Sequence, residues 1–226
     1  MKSVIVETNN LSKKFKVGEH SREVLHDVNV KIYSEDFVII YGPSGCGKTT
    51  LLNIIIGLEK PTAGEVLIKS TDIYKLDEDS RSKFRADKFG IVYQQSYWIK
   101  SLNVIDNVAL PLVIEGHDRG EALKKAKTVL DELKMSKYAN HLPVQLSGGE
   151  QQTIGLARSL VSDPSIIIAD EPTGNLDYKS GLKIMDLLSE LNKYSKRTVI
   201  LVTHNLDYLE KYGNQKISIL DGRIVN

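Results

Sequence analysis

Short runs of apolar, mostly β-branched residues recur along the chain and predict buried strands. Each run has four or five residues, a length typical of strands covered on both faces. The runs are Val28–Ile32, Phe37–Tyr41, Phe89–Val92, Ile166–Ala169, Val199–Val202 and Ile217–Leu220. Between the later runs, Ala122–Lys134 and Gly181–Leu191 repeat their apolar residues with the period of a helix. Strands that alternate with helices predict a parallel sheet.

Two segments depart from this alternation. Residues 1–70 are richer in strand-like sequence, and Glu23–Ile32 and Glu65–Ile68 are candidates for antiparallel strands. The stretch from about Asn103 to Leu146 shows no convincing strand and predicts a helical subdomain inserted between sheet elements. The expected fold class is therefore α/β, with a parallel-sheet core, an N-terminal antiparallel β subdomain and an inserted α-helical subdomain.

Composition and charge narrow the possible classes of function. The 226 residues are 41% hydrophobic and 26% charged, which is typical of a globular domain with an apolar core. Thirty basic and 29 acidic residues give a net charge of +1, which argues against a nucleic-acid binder. The single cysteine, Cys46, excludes an intrachain disulfide and suits a reducing compartment. No signal peptide or membrane-spanning stretch is evident, so any membrane role should come through a partner.

A glycine-rich loop carries the strongest chemical signal. Residues 42–49 match the pattern GxxxxGK[ST], which wraps backbone N–H groups around phosphate oxygens. In that pattern Lys48 reaches the β- and γ-phosphates and the Thr49 hydroxyl ligates Mg²⁺. A chance glycine-rich turn is the alternative. The apolar strand Phe37–Tyr41 before the loop and the helical stretch Thr50–Ile56 after it favour the phosphate-binding interpretation.

Two carboxylates follow a second buried strand. Asp170 and Glu171 come directly after Ile166–Ala169. A strand that delivers Asp170 to its carboxyl end can place it in the Mg²⁺ shell of a phosphate loop, and Glu171 could then polarise water for attack. An ordinary polar turn is the alternative, since Pro172 and Gly174 both mark one.

Further segments resemble the motifs of the ATP-binding cassette family, in the order in which that family has them. Leu146–Glu150, followed by Gln151 and Gln152, is similar to the signature motif. Gly174–Asp177 resembles the D-loop. His204 matches the switch histidine, Gln94 the Q-loop glutamine and Phe15 the aromatic residue that stacks on adenine. The resemblance extends from Val4 to about Val225.

The resemblance implies a role for each matching residue. Phosphate contacts would come from Gly42, Pro43, Ser44, Gly45, Cys46, Gly47, Lys48, Thr49 and Thr50, with Phe15 on the base. The Mg²⁺ site would be formed by Thr49, Gln94 and Asp170. Glu171 would be the catalytic base, assisted by Lys48, Gln94 and by His204 at the γ-phosphate. Ser147, Gly148 and Gly149 would complete the ATP site of a second copy in a head-to-tail dimer.

The resemblance also implies an organisation and a partner. It predicts one domain over residues 1–226, in which 1–94 and 163–226 form the catalytic core and about 95–162 the helical subdomain. The apolar cluster Tyr97, Trp98, Ile99 and Leu102 would receive an integral-membrane permease, although core packing is the alternative for each of these side chains. The protein is expected at the cytoplasmic face of the plasma membrane.

Three further segments resemble those of one subgroup of the family, the ATPases of lipoprotein-release and macrolide-export systems. They are Asp106–Leu112, Glu171–Asp177 and Asp221–Ile224. A regulatory ATPase of the cell-division type, which switches a membrane partner without moving cargo, remains an alternative. Soluble cassette ATPases of repair or translation are a weaker one, because they usually carry two cassettes, long insertions or zinc modules. Thr153 departs from the family, which usually has arginine there, and this change could loosen contacts near the D-loop.

Overall fold

The computed structural model describes residues 2–18 and 20–225, which form two compact units. The terminal unit comprises Met1–Arg85 and Ser189–Asn226, and the middle unit comprises Ala86–Leu188. Helices α2 (Glu78–Lys88) and α6 (Tyr178–Ser195) each run across a boundary. The divisions that the sequence analysis placed at 94/95 and 162/163 remain a prediction.

An antiparallel sheet forms the first part of the terminal unit. Its strands are β1 (Val4–Val17), β2 (His20–Tyr33), β4 (Ala63–Ile68) and β5 (Thr71–Asp72), in the order β2-β1-β4-β5. Alternate residues of β2, including Val28, Val30 and Ile32, are buried, as expected for a strand with one covered face. The two antiparallel candidates from the sequence are thus confirmed as strands, and both pair with β1.

Parallel strands form the second part of this unit. They are β3 (Phe37–Tyr41), β8 (Thr198–Thr203) and β9 (Gln215–Leu220), and the short β10 (Arg223–Val225) pairs antiparallel with β9. Strand β3 pairs parallel with both β8 and β9. All six residues of β8 are buried, which explains the run of four apolar residues, Val199–Val202, at its centre. Helices α1 (Lys48–Ile55) and α7 (Asp207–Lys211) follow β3 and β8 along the chain.

The middle unit contains a parallel strand pair and a helical core. Strands β6 (Phe89–Tyr93) and β7 (Ile166–Asp170) pair parallel. Helices α3 (Val104–Ile114), α4 (Arg119–Glu132) and α5 (Gly148–Leu160) pack around a cluster of buried side chains that includes Val108, Leu130 and Ile154. Short 3₁₀ helices lie at Ser136–Tyr138 and Pro143–Gln145. Between Asn103 and Leu146, where every residue is described, the chain has no strand, as predicted.

The helix ends follow capping chemistry. Asn103 and Asp118 accept hydrogen bonds from backbone N–H groups in the first turns of α3 and α4. Helix α4 therefore begins earlier than the apolar period alone indicated. Among the described residues, none of the helices has the length and apolarity needed to cross a lipid bilayer.

Candidate functional site

The loop between β3 and α1 has the glycine-dependent backbone that its sequence predicts. Gly47 has φ of +106°, and a Cβ there would lie 2.8 Å from Leu25 Cδ2 and 3.0 Å from the Val24 carbonyl oxygen. At Gly42 a Cβ would lie only 2.1 Å from the Ile219 carbonyl oxygen. Both positions therefore exclude any larger residue, and the loop is fixed against β2 and β9.

Lys48 lies over this loop. It is only 6% exposed, and its Nζ donates hydrogen bonds to the carbonyl oxygens of Gly42 at 2.8 Å and Pro43 at 2.9 Å. A cavity of about 140 Å³ is lined by Val24, Gly45, Gly47, Lys48, Thr49 and Thr50. An ammonium group and the N-terminus of α1 thus meet at one small cavity, which is the arrangement that binds phosphate.

The strand register brings His204 to the same edge of the terminal unit. Tyr41, the last residue of β3, pairs with Thr203, the last residue of β8. Because the strands are parallel, the loop and His204 both leave the carboxyl edge of this sheet. The turn after β9 also reaches the loop, since the Gly222 N–H donates to the Cys46 carbonyl oxygen at 3.1 Å. Cys46 is buried, which favours its role as a small packing residue.

Phe15 lies on β1, half-buried, beside the strand that lines the cavity. It pairs with Arg22, and Val24 follows two residues later on β2. The Lys13 ammonium lies 4.7 Å from the centre of the Phe15 ring. This cation–π contact holds the ring against its own strand, and stacking of Phe15 on adenine remains a prediction.

In the middle unit, the carboxyl ends of β6 and β7 lie side by side and carry Gln94, Asp170 and Glu171. Tyr93, the last residue of β6, pairs with Asp170, the last residue of β7, so Gln94 and Glu171 each directly follow one of two neighbouring strands. Glu171 has φ of +48°, a left-handed conformation that is uncommon for residues other than glycine. Gln94 Nε2 donates to Asn175 Oδ1 at 3.1 Å, which joins the predicted Q-loop to the predicted D-loop.

The predicted signature motif forms the N-terminus of α5. Ser147 is the N-cap, and it forms a reciprocal capping box with Glu150. Hydrogen bonds from the Tyr138 hydroxyl and from the Ser147 hydroxyl and N–H lower the pKa of Glu150 to about 2. Gly148 and Gly149 lie in the first turn, whose N–H groups point towards the helix end. The Thr153 hydroxyl donates to the Gly149 carbonyl oxygen at 2.9 Å, so this residue bonds within its own helix.

Asp177 lies immediately before α6, next to this motif. Its carboxylate accepts hydrogen bonds from the Ser180 hydroxyl at 2.6 Å and from the Ser180 N–H at 3.0 Å, and these contacts hold the pKa of Asp177 below its ordinary value. The Ser180 hydroxyl oxygen would lie 3.0 Å from a Cβ at Gly149. The signature and D-loop segments are therefore packed together within the middle unit.

The apolar cluster after Gln94 divides into exposed and packed members. Tyr97 is 71% exposed and Ile99 43% exposed. Trp98 packs against the helical core, its Nε1–H donates to Gln151 Oε1 at 3.0 Å, and the Arg158 guanidinium lies 4.7 Å from its ring. Leu102 is half-buried. Tyr97 and Ile99 therefore offer the accessible apolar surface, whereas Trp98 is held by the core.

Sequence reasoning missed the residue that fixes this cluster. Asn107 is fully buried, and its amide bonds to the backbone of Ile99, Leu102 and Asn103. The sequence contained a sign of this role, because the polar Asn107 interrupts the apolar helix face formed by Val104 and Val108. A buried amide on such a face must satisfy its hydrogen bonds, and here the neighbouring loop supplies the partners.

The predicted Mg²⁺ ligands are chemically suitable. The Thr49 hydroxyl, the Gln94 amide oxygen and the Asp170 carboxylate are the hard oxygen donors that Mg²⁺ prefers. Thr49 lies in the terminal unit and the other two lie in the middle unit, so the ligand set remains a prediction. Over residues 2–18 and 20–225 no group of three or more His, Cys, Asp or Glu side chains is placed to hold a metal ion. Such a group is not required, because Mg²⁺ commonly binds through one or two carboxylates together with substrate phosphates.

Comparison with known proteins gives consistent matches. The ABC transporter family matches residues 25–174. An uncharacterised ABC transporter ATP-binding protein of Methanocaldococcus jannaschii, MJ1508, is 43% identical over 98% of both chains. The lipoprotein-releasing system ATP-binding protein LolD of Colwellia psychrerythraea is 36% identical over 98% of this chain and 86% of its own.

A solved structure matches equally well. It is the dimeric, post-hydrolysis state of the ATP-binding cassette MJ0796, bound to ADP and Pi, a protein of the same archaeon. The TM-score is 0.89 with 42% identity, over 98% of this chain and 97% of that chain.

Proposed function

Because the chain belongs to the ABC transporter ATP-binding family, we propose that it is the ATP-hydrolysing subunit of a membrane export or extraction system. In this proposal two copies associate head-to-tail around two ATP molecules and drive a permease formed by other chains. The observation that carries the proposal is the phosphate loop, where Lys48 and the N-terminus of α1 meet at one cavity. The protein would lie at the cytoplasmic face of the plasma membrane, held there by the permease.

Binding of ATP begins with the phosphates. The N–H groups of the loop and of the first turn of α1 donate to phosphate oxygens, and Lys48 exchanges the carbonyl oxygens of Gly42 and Pro43 for the β- and γ-phosphates. Phe15 stacks on the adenine. Thr49, Gln94 and Asp170 would hold Mg²⁺, which would supply positive charge to offset the negative charge of the phosphates.

Hydrolysis transfers the γ-phosphoryl group to water. Glu171 accepts a proton from the attacking water, whose oxygen forms the new bond to phosphorus as the bond to the β-phosphate oxygen breaks. His204 contacts the γ-phosphate, and Gln94 orients the water. Because Gln94 bonds to Asn175, a change at the water can reach the D-loop and hence the partner subunit.

The second helix N-terminus supports the head-to-tail dimer. Ser147, Gly148 and Gly149 open α5 and present an anion-binding end. In the proposal this end contacts the γ-phosphate of ATP held by the partner subunit. Hydrolysis removes that contact, so the dimer reopens. Binding and hydrolysis of ATP thus alternately close and open the dimer. The dimeric structure of MJ0796 supports this arrangement, because that cassette is similar over nearly its whole length.

An export or extraction role is favoured by the likeness to LolD, and the permease would contact the surface formed by Tyr97 and Ile99. This surface is apolar and exposed, and Asn107 fixes the backbone beneath it. A helix of a membrane protein could bury such side chains against its own apolar residues.

Glu171→Gln tests both parts of the proposal. The variant should bind ATP, form a stable dimer and hydrolyse ATP at least about 100-fold more slowly, because the base is lost while the binding groups remain. Expressed in its native host, trapped with ATP and solubilised gently, it should co-purify with a membrane protein that has a large extracytoplasmic domain. A partner with a small external loop that recruits wall enzymes would favour the regulatory alternative. A monomer at saturating MgATP would contradict the head-to-tail scheme.

A further inference from the structure

Glu150 engages the hydroxyl of Ser147. Ser147 Oγ donates to Glu150 Oε2 at 2.7 Å, and the Ser147 N–H donates to the same oxygen at 2.9 Å. In return, the Glu150 N–H reaches Ser147 Oγ at 3.4 Å. A serine hydroxyl carries a single hydrogen. The hydrogen that the proposed function directs at a partner's γ-phosphate is therefore directed at Glu150 in this structure.

The Glu150 carboxylate is held from its other side as well. The Tyr138 hydroxyl donates to Glu150 Oε1, and the Lys137 ammonium lies 4.7 Å from the centre of the Tyr138 ring. These contacts keep Glu150 ionised, with a pKa of about 2. The negative charge of Glu150 is hydrogen-bonded to the Ser147 hydroxyl. A phosphate that approached this hydroxyl would therefore be repelled by the carboxylate.

We propose that Glu150 is a positioning residue that competes with the γ-phosphate for Ser147 and so weakens the ATP-dependent dimer. Tyr138 moderates this competition, because its hydroxyl draws carboxylate charge away from Ser147. The inference rests on the proposed head-to-tail dimer. When the dimer closes, the Ser147 O–H turns from Glu150 to the phosphate. When phosphate leaves, the bond to Glu150 re-forms, which favours reopening.

A purely structural role for Glu150 predicts different results. In the capping box S-x-x-E/Q, glutamine can replace glutamate and still accept the Ser147 N–H. Glu150→Gln can therefore keep the acceptor for the Ser147 N–H at the start of α5, while it removes the charge and replaces the oxygen that faces Tyr138 with an amide NH₂ group. If Glu150 and Tyr138 merely stabilise α5, both Glu150→Gln and Tyr138→Phe should weaken the dimer or leave it unchanged. Competition predicts opposite effects for the two variants.

The test uses the full-length Glu171→Gln protein with MgATP, and the dimer dissociation constant is measured by sedimentation velocity. Adding Glu150→Gln should lower that constant by about tenfold, a factor that corresponds to about 1.4 kcal/mol. Tyr138→Phe should raise it, because the full carboxylate charge then faces Ser147. In the presence of Glu150→Gln, Tyr138→Phe should have no further effect. Glu121→Gln, the same change in the first turn of α4, is the matched control and should leave the constant unchanged.

An equal or higher dissociation constant for Glu150→Gln overturns the inference, and so does a shift of Tyr138→Phe in the same direction as Glu150→Gln. Thermal unfolding of each variant shows whether α5 has kept its fold. If the Glu171→Gln parent forms no ATP-dependent dimer at all, the proposed function fails, and the inference fails with it. If the parent dimerises and only the Glu150 and Tyr138 effects are missing, the proposed function stands alone.

Discussion

Two helix N-termini of this molecule are predicted to bind phosphate, and they are built in opposite ways. Helix α1 begins after Gly47, which has no side chain to cap it, and its first residue is the cationic Lys48. Helix α5 begins after Ser147, and an internal carboxylate, Glu150, completes its cap. One end thus carries a positive side chain and a backbone arranged for an external anion. The other carries its own anion.

In the proposed dimer, the N-terminus of α1 and the N-terminus of the partner's α5 contact the same nucleotide. Their different construction gives them different roles. The first N–H groups of a helix lack partners within the helix. At α1 these groups and Lys48 can hold phosphate in a single chain. At α5 the acceptor already present must be exchanged for a better one, so binding there is weaker and easily reversed. We expect α1 to determine whether ATP binds, and α5 to determine whether two subunits close on it.

Removing the cation at α1 should have the largest effect. Lys48→Ala is expected to weaken ATP binding by at least about 100-fold, because a desolvated charge-assisted contact to phosphate is lost. Titration with a fluorescent ATP analogue measures the loss. Lys83→Ala, at an exposed position of α2, is the control and should bind normally. Nearly normal affinity in Lys48→Ala would mean that α1 does not dominate the binding.

Removing the cap at α5 should separate closure from binding. Ser147→Ala is expected to raise the dimer dissociation constant by at least about tenfold in the Glu171→Gln background, because it removes one hydrogen bond to a charged phosphate. Its affinity for ATP as a monomer should stay unchanged.

The loss of an N-cap also costs about 1 kcal/mol of stability, so the comparison needs a second cap variant. Asp118→Ala removes the cap of α4 in the same unit and should destabilise the protein similarly. It should dimerise like the parent, and an equal dimerisation defect in Asp118→Ala would remove the distinction between the two ends.

The smallest expected effect is a dependence of stability on pH that is specific to α5. The pKa of Glu150 is lowered from about 4.5 to about 2 in the folded protein. Its stabilising contribution is therefore complete above its unfolded pKa, and it is lost as the pH falls towards the folded pKa. The difference in free energy of unfolding between the parent and Glu150→Gln should be constant from about pH 7 to 5 and should narrow below about pH 4.5. Urea titrations across this pH range measure the difference in free energy of unfolding. A difference that stays constant down to pH 3 would refute the lowered pKa of Glu150.

The strand pattern of this protein was predictable because buried strands leave a direct trace in the sequence. Each of the six apolar runs lies within an observed strand, and Phe37–Tyr41 coincides with β3. The extents of β1 and α2 were not predictable in the same way. Strand β1 contains polar residues and bulges, and α2 buries none of its residues, so neither has a continuous apolar period.

The candidate site was predictable where chemistry depends on residue type and spacing. The loop of residues 42–49 needs glycine at Gly42 and Gly47, since a side chain would meet β9 or β2 there. The sequence could not reveal that Gln94 bonds to Asn175, or that Trp98 is packed while Tyr97 is exposed. Those outcomes depend on contacts between segments that are far apart in the chain.

By itself the sequence determined the chemistry available to this protein, because glycines, the loop lysine and the strand-end carboxylates act through their residue types and local backbone. It also determined most strands and the helical character of residues 103–146. Only the tertiary structure decided how these groups are partnered. It directs the single hydrogen of Ser147 to Glu150, joins Tyr138 to the same carboxylate and buries Asn107 beneath the exposed Tyr97 and Ile99. The reason is physical, since a hydrogen bond or a packed ring depends on a distance in space, whereas a motif depends on a distance along the chain.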